Sequence, residues 1–350
     1  MVSGGGHRAG ADGRGKVDVK LLSFQLQTPD GPAARIGALV DGDRVVDLTS
    51  ACYVQLLMDR SCDPRAAARI ARALVPPDMV AFIEGGKRTL DAAREALNAV
   101  LNGDELPTET KVIHPLKSLK LLPAVPRPPM FRDFMAFEEH VKGSVQAMGL
   151  GEVPKMWYEF PVFYKGNVQS LAAHGEDVLW PSYSRLLDFE LEMAAIIGRR
   201  GADIPEERAG EHIFGFTILN DFSARDVQGQ EMSVGLGPAK GKDFRTGTAL
   251  GPWIVTADEL PDPYNLRMRV RVNGEVWSEG RSGTIHWRFE QMIAHASRSE
   301  TLYPGEVFGS GTVGRGCGLE LGRWLKPGDV VELEIEGIGV LRNRVVRPGR

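Results

Sequence analysis

The stretch Leu186–Gly198, LLDFELEMAAIIG, joins an apolar strand to three carboxylates. Its second half is typical of a buried strand, whereas Asp188, Glu190 and Glu192 alternate with apolar residues just before it. Successive side chains of a strand point to opposite faces, so the three carboxylates are predicted to share one face. Unpaired charges at the edge of a core are costly. The stretch therefore predicts a strand whose acidic face needs a compensating partner.

Two kinds of partner are open for this acidic face. A hard cation such as Mg²⁺, Mn²⁺ or Ca²⁺ takes carboxylate oxygens, whereas zinc and copper sites usually recruit His or Cys. Alternatively, the face is solvated or paired with Arg185, Arg199 or Arg200. A short E-x-E motif alone does not decide between them.

The next predicted strand favours the metal. FGFTILND is an apolar run that ends in Asp221, so a second strand brings a carboxylate that could complete a cation site. Arg225 and Gln228 follow at once, and a glycine-rich loop then carries Lys242, which could neutralise an anionic substrate. By itself, that loop is predicted to be only a turn-rich connection.

His140, in FRDFMAFEEHVKG, is the candidate general base. Imidazole is the side chain whose ordinary pKa lies near neutrality. Taken singly, His140 fits an ordinary surface or core histidine equally well. The other histidines outside the N-terminal tail have no comparable surroundings.

Composition excludes several classes of protein. The chain has 350 residues, 43% of them hydrophobic, and a net charge of -4, which gives no electrostatic footprint for nucleic acid or an anionic membrane. No apolar run approaches the roughly 18 to 20 residues of a transmembrane helix, and the first residues lack the apolar core of a secretory signal. Three scattered cysteines do not form a disulfide framework or a zinc knuckle. A reduced, cytoplasmic enzyme or binding protein is expected.

The chain is predicted to be of the α+β class and mostly β. Residues 1–17 read as a disordered tail, and residues 18–122 as a small N-terminal domain of hairpins followed by helices. The proline-rich LLPAVPRPPM marks a boundary, because its prolines cannot continue a helix or pair as a central strand. Residues 123–350 alternate short β runs with glycine-rich turns, and FEQMIAHAS is the helix predicted among them.

Two further motifs are interpreted conservatively. GSGTVG, residues 309–314, matches a dinucleotide-binding glycine pattern, but it does not open a helix and is better read as a turn or substrate loop. LRMRVRV places three arginines on one strand face, and in an acidic protein we interpret this as a solvated or ion-paired face rather than a nucleic-acid site.

Taken in order, the segments resemble a known family. FRDFMAFEEH, DFELE, ILNDFSARDVQ, GPAKGKDF and GSGTVGRGCGLEL, within about residues 125 to 347, are similar to the fumarylacetoacetate hydrolase family. The resemblance implies a mixed β-roll catalytic domain, usually in a homodimer, that holds Mg²⁺, Mn²⁺ or Ca²⁺. The region from about Leu21 looks like the smaller N-terminal domain of the longer members.

The resemblance also implies roles for individual residues. The metal ligands would be Glu190, Glu192, Asp221 and Asp133, of which Asp133 matches only the hydrolases proper. The catalytic residues would be His140 as base, Glu320 as the carboxylate that orients it, Lys242 and Gln228 as oxyanion stabilisers, and Arg225. Substrate would contact Tyr164 and Thr312, and a second Mg²⁺-type site would involve Lys242 and Thr246.

Two details of this carry-over are specific to the chain. Some shorter members place the partner carboxylate three residues after the histidine, where this chain has Gly143, so Glu320 is the matching candidate. Asp188 shares the face of the glutamates but matches no ligand, and we expect it at the solvated start of the strand.

The expected function is cleavage of a C–C bond in a fumarylacetoacetate- or acylpyruvate-like 1,3-diketo acid by a metal-dependent hydrolase. The alternative is a decarboxylase, hydratase or isomerase of 2-oxo dicarboxylates in aromatic catabolism, because the same enolate chemistry serves all of these reactions. A third alternative, from another class, is a non-catalytic metal-binding fold that acts as an interaction subunit.

Overall fold

The computed structural model describes residues 19–60, 62–103, 110–147, 149 and 151–348, so the predicted tail lies outside the described residues. The strands are β1 (Lys20–Thr28), β2 (Gly31–Val40), β3 (Arg44–Asp47), β4 (Ile113–Pro115), β5 (Lys120–Leu121), β6 (Phe131–Phe134), β7 (Phe163–Lys165), β8 (Leu171–Ala172), β9 (Asp177–Leu179), β10 (Leu187–Asp188), β11 (Leu191–Ile197), β12 (Ile213–Asp221), β13 (Ser223–Ala224), β14 (Thr248–Thr256), β15 (Arg267–Val272), β16 (Glu275–Arg281), β17 (Val307–Gly309), β18 (Val330–Ile335) and β19 (Gly339–Val346). The helices are α1 (Leu48–Met58), α2 (Pro64–Leu74), α3 (Met79–Glu84), α4 (Gly86–Asn102), α5 (Glu138–Ala147), α6 (Glu206–Ala209), α7 (Arg225–Val234), α8 (Phe289–Ala296) and α9 (Gly318–Leu321).

Most strands belong to one long mixed sheet. Its order in the described residues is β4-β3-β2-β1-β14-β12-β11-β17-β6-β7, with β5 beside β1 and β8 beside β14. A second sheet has the order β16-β15-β18-β19-β9, and β10 pairs with β13 as a short ribbon. Mixed strand directions without regular strand–helix alternation confirm the predicted α+β class.

The long sheet runs across the boundary that the prolines predicted. Strand β1 pairs with β14 through Lys20↔Val255 and Leu21↔Ile254, so the N-terminal hairpins extend the same sheet that carries the candidate site. The division between residues 18–122 and 123–350 stays a prediction.

The predicted N-terminal helices are present as α2 and α4. The Asp63 carboxylate caps α2 by accepting a hydrogen bond from the Arg65 backbone N–H, and α4 ends at Asn102, immediately before Gly103. Helix α1 was not predicted, because its nearly continuous apolar composition lacks a polar stripe that would reveal a helical period.

Strand β11 is buried on both faces, which explains its apolar run. Met193 and Ile197 pack in the core shared with the second sheet and α8, whereas Ala194 and Ile196 face the core formed with the N-terminal helices. Glu192 precedes Ala194 by two residues and therefore lies on the face that the N-terminal helices cover further along the strand. As predicted, Phe189, Leu191 and Met193 pack behind the carboxylates.

The arginine-rich strand of the second sheet, β15, is ion-paired, as expected. Arg267 contacts Glu336, and Arg271 contacts Glu334 at 2.6 Å. Among the described residues, no helix is long and apolar enough to cross a membrane.

Candidate active site

Strand register brings four carboxylates to one face of the long sheet. Glu192 is directly opposite Leu219, two residues before Asp221, and Ala194 is opposite Gly309, which in turn is beside Asp133 on β6. Directly opposite residues of paired strands share a face, so Glu190, Glu192, Asp221 and Asp133 converge. All four are buried. The structure thus brings together the four predicted metal ligands, whose roles stay a prediction.

Two cations compensate part of this negative charge. Lys242 Nζ lies 2.5 Å from both Glu190 Oε2 and Asp221 Oδ2. Arg225 Nη2 lies 2.8 Å from Glu190 Oε1, although the angle is not that of a hydrogen bond. Burial disfavours the charged form of Glu190 and acts to raise its pKa. The positive charges of Lys242 and Arg225 have the larger effect and hold that pKa well below the usual range. The pairing alternatives Arg185, Arg199 and Arg200 are wrong, because the cations on this face are Arg225 and Lys242.

Among the described residues, the other two acids of the cluster, Asp133 and Glu192, have no ion-pair partner, and their oxygens are available to a cation. Burial raises the pKa of Glu192 and of Asp133 well above their ordinary values, and the neighbouring carboxylates raise them further. Asp133 Oδ1 and Asp221 Oδ1 are buried without a hydrogen-bond partner among the described residues. Buried orphan oxygens of an all-carboxylate donor set are suited to a hard divalent ion. The residues therefore fit Mg²⁺ or Mn²⁺, with Ca²⁺ as an alternative.

The predicted substrate-contacting residues donate hydrogen bonds to these carboxylates. The Tyr164 hydroxyl lies 2.7 Å from Asp221 Oδ2, and Thr312 Oγ1 lies 3.4 Å from Glu192 Oε1. The backbone N–H of Gly311 donates to Glu192 Oε2 at 3.0 Å. The GSGTVG segment is therefore a loop against the acidic cluster, which agrees with its interpretation as a turn or substrate loop.

His140 and Glu320 form a buried pair. His140 lies on α5 and Glu320 on α9, and Nδ1 of the imidazole is 2.8 Å from Oε2 of the carboxylate. The other ring nitrogen, Nε2, is 3.4 Å from Ser144 Oγ, one helical turn further on. Gly143 permits this arrangement, because a Cβ there would come within 2.7 Å of Glu320 Oε1. Sequence reasoning identified both members of the pair but not Ser144.

A backbone bridge joins the histidine pair to the acidic cluster. Glu190 and Cys317 form an isolated antiparallel bridge, and Cys317 immediately precedes α9, which carries Glu320. A general base is thereby held beside the carboxylates that face the candidate cation.

The expectation that Asp188 is solvated is wrong. Its side chain is fully buried and accepts hydrogen bonds from Arg225 Nε at 2.8 Å and from the backbone N–H groups of Gly318 and Leu319 at 2.7 and 3.0 Å. The physical reason is that the last segment of the chain covers this end of the strand and supplies donors that sequence order does not reveal. Asp188 thus positions both Arg225 and the start of α9.

The remaining predicted residues have other contacts. Gln228 Oε1 accepts a hydrogen bond from Arg225 Nη1 at 3.0 Å, and the Thr246 hydroxyl accepts from the Leu179 N–H at 2.8 Å and donates to the Arg245 carbonyl at 2.5 Å. The roles of Gln228 in oxyanion stabilisation and of Thr246 in a second metal site stay predictions. The predicted turn-rich connection is partly wrong, since helix α7 opens it and holds Arg225 and Gln228 on one side at helical spacing.

Sequence reasoning overlooked Cys317. Its thiol is buried 3.2 Å from Glu320 Oε2 and 4.0 Å from His140 Nδ1. The signal available was the three-residue spacing from Cys317 to Glu320, which fits one turn of a short helix.

Comparison with known proteins gives consistent results. The family model for the fumarylacetoacetate (FAA) hydrolase C-terminal domain matches residues 130–346. The chain is 35% identical over 274 residues to oxaloacetate tautomerase FAHD2A, mitochondrial, of Homo sapiens, covering 78% of this chain and 81% of that protein. It is 32% identical over 334 residues to oxaloacetate tautomerase fahd2, mitochondrial, of Xenopus laevis, covering 94% of this chain and 91% of that protein.

A solved structure shares the fold. It is the fumarylacetoacetate hydrolase of the psychrophilic Exiguobacterium antarcticum, with a TM-score of 0.66 and 25% identity, covering 94% of this chain and all of that one. The relatives are named as enzymes that act on small molecules. The matched domain spans the acidic cluster, the histidine pair and the loop from Gly309 to Gly314. The chain therefore belongs to the fumarylacetoacetate hydrolase family.

Proposed function

We propose that the protein catalyses the keto–enol interconversion of a 2-oxo dicarboxylate such as oxaloacetate, assisted by Mg²⁺ or Mn²⁺. The observation that carries the proposal is the His140–Glu320 pair, which is tied to the acidic cluster through the Glu190–Cys317 bridge. Similarity to two oxaloacetate tautomerases, one of them along nearly the whole chain, supports this reaction over the others of the family. This is the isomerase alternative of the sequence-based expectation.

The reaction needs a single acid–base group at the carbon between the two carbonyl-bearing carbons. His140 Nε2 would remove a proton from C3 of the keto form and return it to the C2 oxygen, which gives the enol, and the reverse sequence regenerates the ketone. Glu320 would accept a hydrogen bond from the Nδ1–H group, which fixes the tautomer and stabilises the imidazolium that forms. Positioned acid–base groups typically contribute about 10²- to 10⁴-fold to a rate.

Acidic residues and cations divide the remaining tasks. Glu190, Glu192, Asp221 and Asp133 would hold the divalent ion, which supplies Lewis-acid stabilisation of charge on a carbonyl oxygen when it is bound. Lys242 is placed to stabilise an adjacent anion, because its ammonium already lies between two carboxylates of the cluster. Burial lowers the pKa of Lys242, but Asp221 and Glu190 outweigh that effect and raise it, so the side chain stays charged.

Hydrolytic C–C cleavage of a 1,3-diketo acid is the second candidate. Its supporting observation is the same His140–Glu320 pair, which by resemblance would deprotonate a water that adds to the distal carbonyl, and the fold shared with a fumarylacetoacetate hydrolase. The C–C bond then breaks to give a carboxylic acid and an enolate, which His140 reprotonates. Acylpyruvate substrates, aromatic catabolism, a cytoplasmic location and a homodimer remain proposals.

The two candidates are separated by one experiment with two substrates. Purified protein with Mg²⁺ or Mn²⁺ should accelerate the loss of the enol absorbance of oxaloacetate and the exchange of its C3 protons with deuterium, and should form no more pyruvate than the metal ion alone. A hydrolase would instead form pyruvate from an acylpyruvate. His140→Ala should lose the exchange while still binding metal, and His295→Ala, which removes a histidine stacked on Phe160, is the matched control. Equal exchange in the His140→Ala and wild-type proteins would reject the proposed base.

A further inference from the structure

A second set of ligand atoms lies beside the acidic cluster and differs from it in chemistry. His140, Cys317 and Glu320 offer a nitrogen, a sulfur and an oxygen that all lie within 4.8 Å of one another. The separations are 2.8 Å from Nδ1 to Oε2, 3.2 Å from Sγ to Oε2 and 4.0 Å from Sγ to Nδ1. The all-oxygen cluster suits a hard cation, whereas an N, S, O set suits a softer one.

These three separations match one face of a tetrahedral zinc site. Zn–N, Zn–O and Zn–S bonds of about 2.0 to 2.3 Å at tetrahedral angles place the ligand atoms roughly 3.4 to 3.6 Å apart. Each of the three observed separations thus lies within about 0.6 Å of the value zinc requires.

Neighbouring groups already hold the ligands in place. The Arg315 N–H donates to the second carboxylate oxygen of Glu320 at 3.0 Å. With zinc on Nδ1 the imidazole proton would lie on Nε2, and Ser144 Oγ, 3.4 Å away, could accept a hydrogen bond from it. Outer contacts of this kind are what orient ligands in protein zinc sites.

Cys317 is buried, and its sulfur lies against the two other candidate ligand atoms. A bound cation is what would release the thiol proton to solvent as the thiolate ligand forms.

We propose that His140, Cys317 and Glu320 form a binding site for Zn²⁺ or a similarly soft divalent cation, distinct from the carboxylate site, and that its occupation inhibits the enzyme. Zinc bound to Nδ1 of His140 would displace the hydrogen bond to Glu320 and leave the imidazole proton on Nε2, so the nitrogen proposed as the general base could no longer accept a proton. The predicted inhibition rests on the proposed role of His140, whereas the predicted metal binding does not.

The binding test uses cobalt as a spectroscopic probe. Protein saturated with Mg²⁺ is titrated with Co²⁺, and a near-ultraviolet sulfur-to-cobalt charge-transfer band should appear at one equivalent. Cys317→Ser should lose the band, and Cys62→Ser, which removes a partly exposed cysteine elsewhere, should retain it. Circular dichroism establishes that both variants are folded. No band in the wild-type protein, or a band that survives Cys317→Ser, overturns the site.

The inhibition test uses zinc and the measured turnover. Zn²⁺ should inhibit the Mg²⁺-loaded wild-type enzyme, and Cys317→Ser should require at least about tenfold more zinc for the same inhibition. Equal zinc sensitivity of the two proteins would place the inhibition at the carboxylate site, and inhibition through Cys317 would then be rejected. Because the cobalt band does not depend on turnover, failure of the zinc site and failure of the proposed reaction are distinguishable.

Discussion

Replacement of Asp188 by Asn tests how this end of the site is held together. Asp188 is fully buried, and its two oxygens accept four hydrogen bonds. Oδ1 accepts from the backbone N–H groups of Phe189 and Gly318, and Oδ2 accepts from Arg225 Nε and the Leu319 N–H. Asparagine keeps one oxygen and replaces the other with an NH₂ group that cannot accept. Two buried donors therefore lose their acceptor, and Arg225 loses the negative charge with which it is paired.

The magnitude follows from these contacts. Breaking a buried ion pair by removing one partner costs about 3 to 5 kcal/mol, and Arg225 keeps Glu190 as its charged contact and Gln228 as a neutral one. At about 2.1 cal/mol/K per residue, the unfolding entropy of a 350-residue chain is roughly 0.7 kcal/mol/K. The melting temperature should accordingly fall by about 4 to 7 °C.

The assay is thermal unfolding followed by calorimetry or circular dichroism. Asp177→Asn is the matched control, because Asp177 is paired with Arg344 at 2.9 Å on the surface, where a pair contributes less than about 1 kcal/mol. Burial raises the pKa of Asp188, against the opposing effect of Arg225. If Asp188→Asn has the same melting temperature as the wild-type protein, then Asp188 is held protonated and is not the counter-ion of Arg225.

Three further changes test the rest of the site. Gly143→Ala places a Cβ within 2.7 Å of Glu320 Oε1 and should reduce turnover by about 10- to 100-fold, with unchanged metal binding. The control is Gly229→Ala, because the methyl group added there meets no atom within 4 Å. Lys242→Met should destabilise the metal-free protein by about 3 to 5 kcal/mol, and Mg²⁺ should restore much of the loss; a melting temperature unaffected by the change would contradict the charge balance inferred for the cluster. The folded-state pKa values of Asp133 and Glu192 are raised above their ordinary 3.8 and 4.5, so the folded metal-free protein holds protons that the unfolded chain releases. As pH increases above about 4.5, the stability of the metal-free protein should therefore fall in thermal melts, and its Mn²⁺ affinity should rise in calorimetric titration. An affinity independent of pH would contradict those shifts.

The sequence predicted those elements whose pattern of apolar residues is visible within a short segment of the chain. The apolar run of β11 and the helical stripe of α4 are each visible within a short segment, and a buried strand and a helix are present there. Helix α1 was missed because its core-facing and solvent-facing sides differ little in polarity. The pairing of β1 with β14 was missed because it joins segments more than 200 residues apart, and no local pattern encodes such a register.

The candidate site shows the same division between local and distant information. Glu190 and Glu192 could be found because they alternate with apolar residues, and Asp221 because it ends an apolar run. Asp188 obeys the same alternation, but its environment depends on the Gly318–Leu319 backbone, about 130 residues later in the chain. The resemblance that identified Glu320 carried no information about Cys317, because the contact between them depends on the turn of α9.

The charge of the site explains why its cations come from the chain as well as from solution. Asp188, Glu190 and Asp221 are each in contact with Arg225 or Lys242, whereas Asp133 and Glu192 are not, and burial raises the pKa of both of these acids. The chain thus fixes one half of the cluster permanently and leaves the other half dependent on protons or a metal ion. A bound divalent cation would replace those protons, which couples metal affinity to pH. Arg225 and Lys242 would then keep the loaded site from carrying a large net negative charge, and such a charge would repel a dianionic 2-oxo dicarboxylate. On this reasoning, weakening either cation should raise KM for a dicarboxylate more than for a monocarboxylate acylpyruvate, and equal effects on the two substrates would show that the cations act on the metal ligands alone.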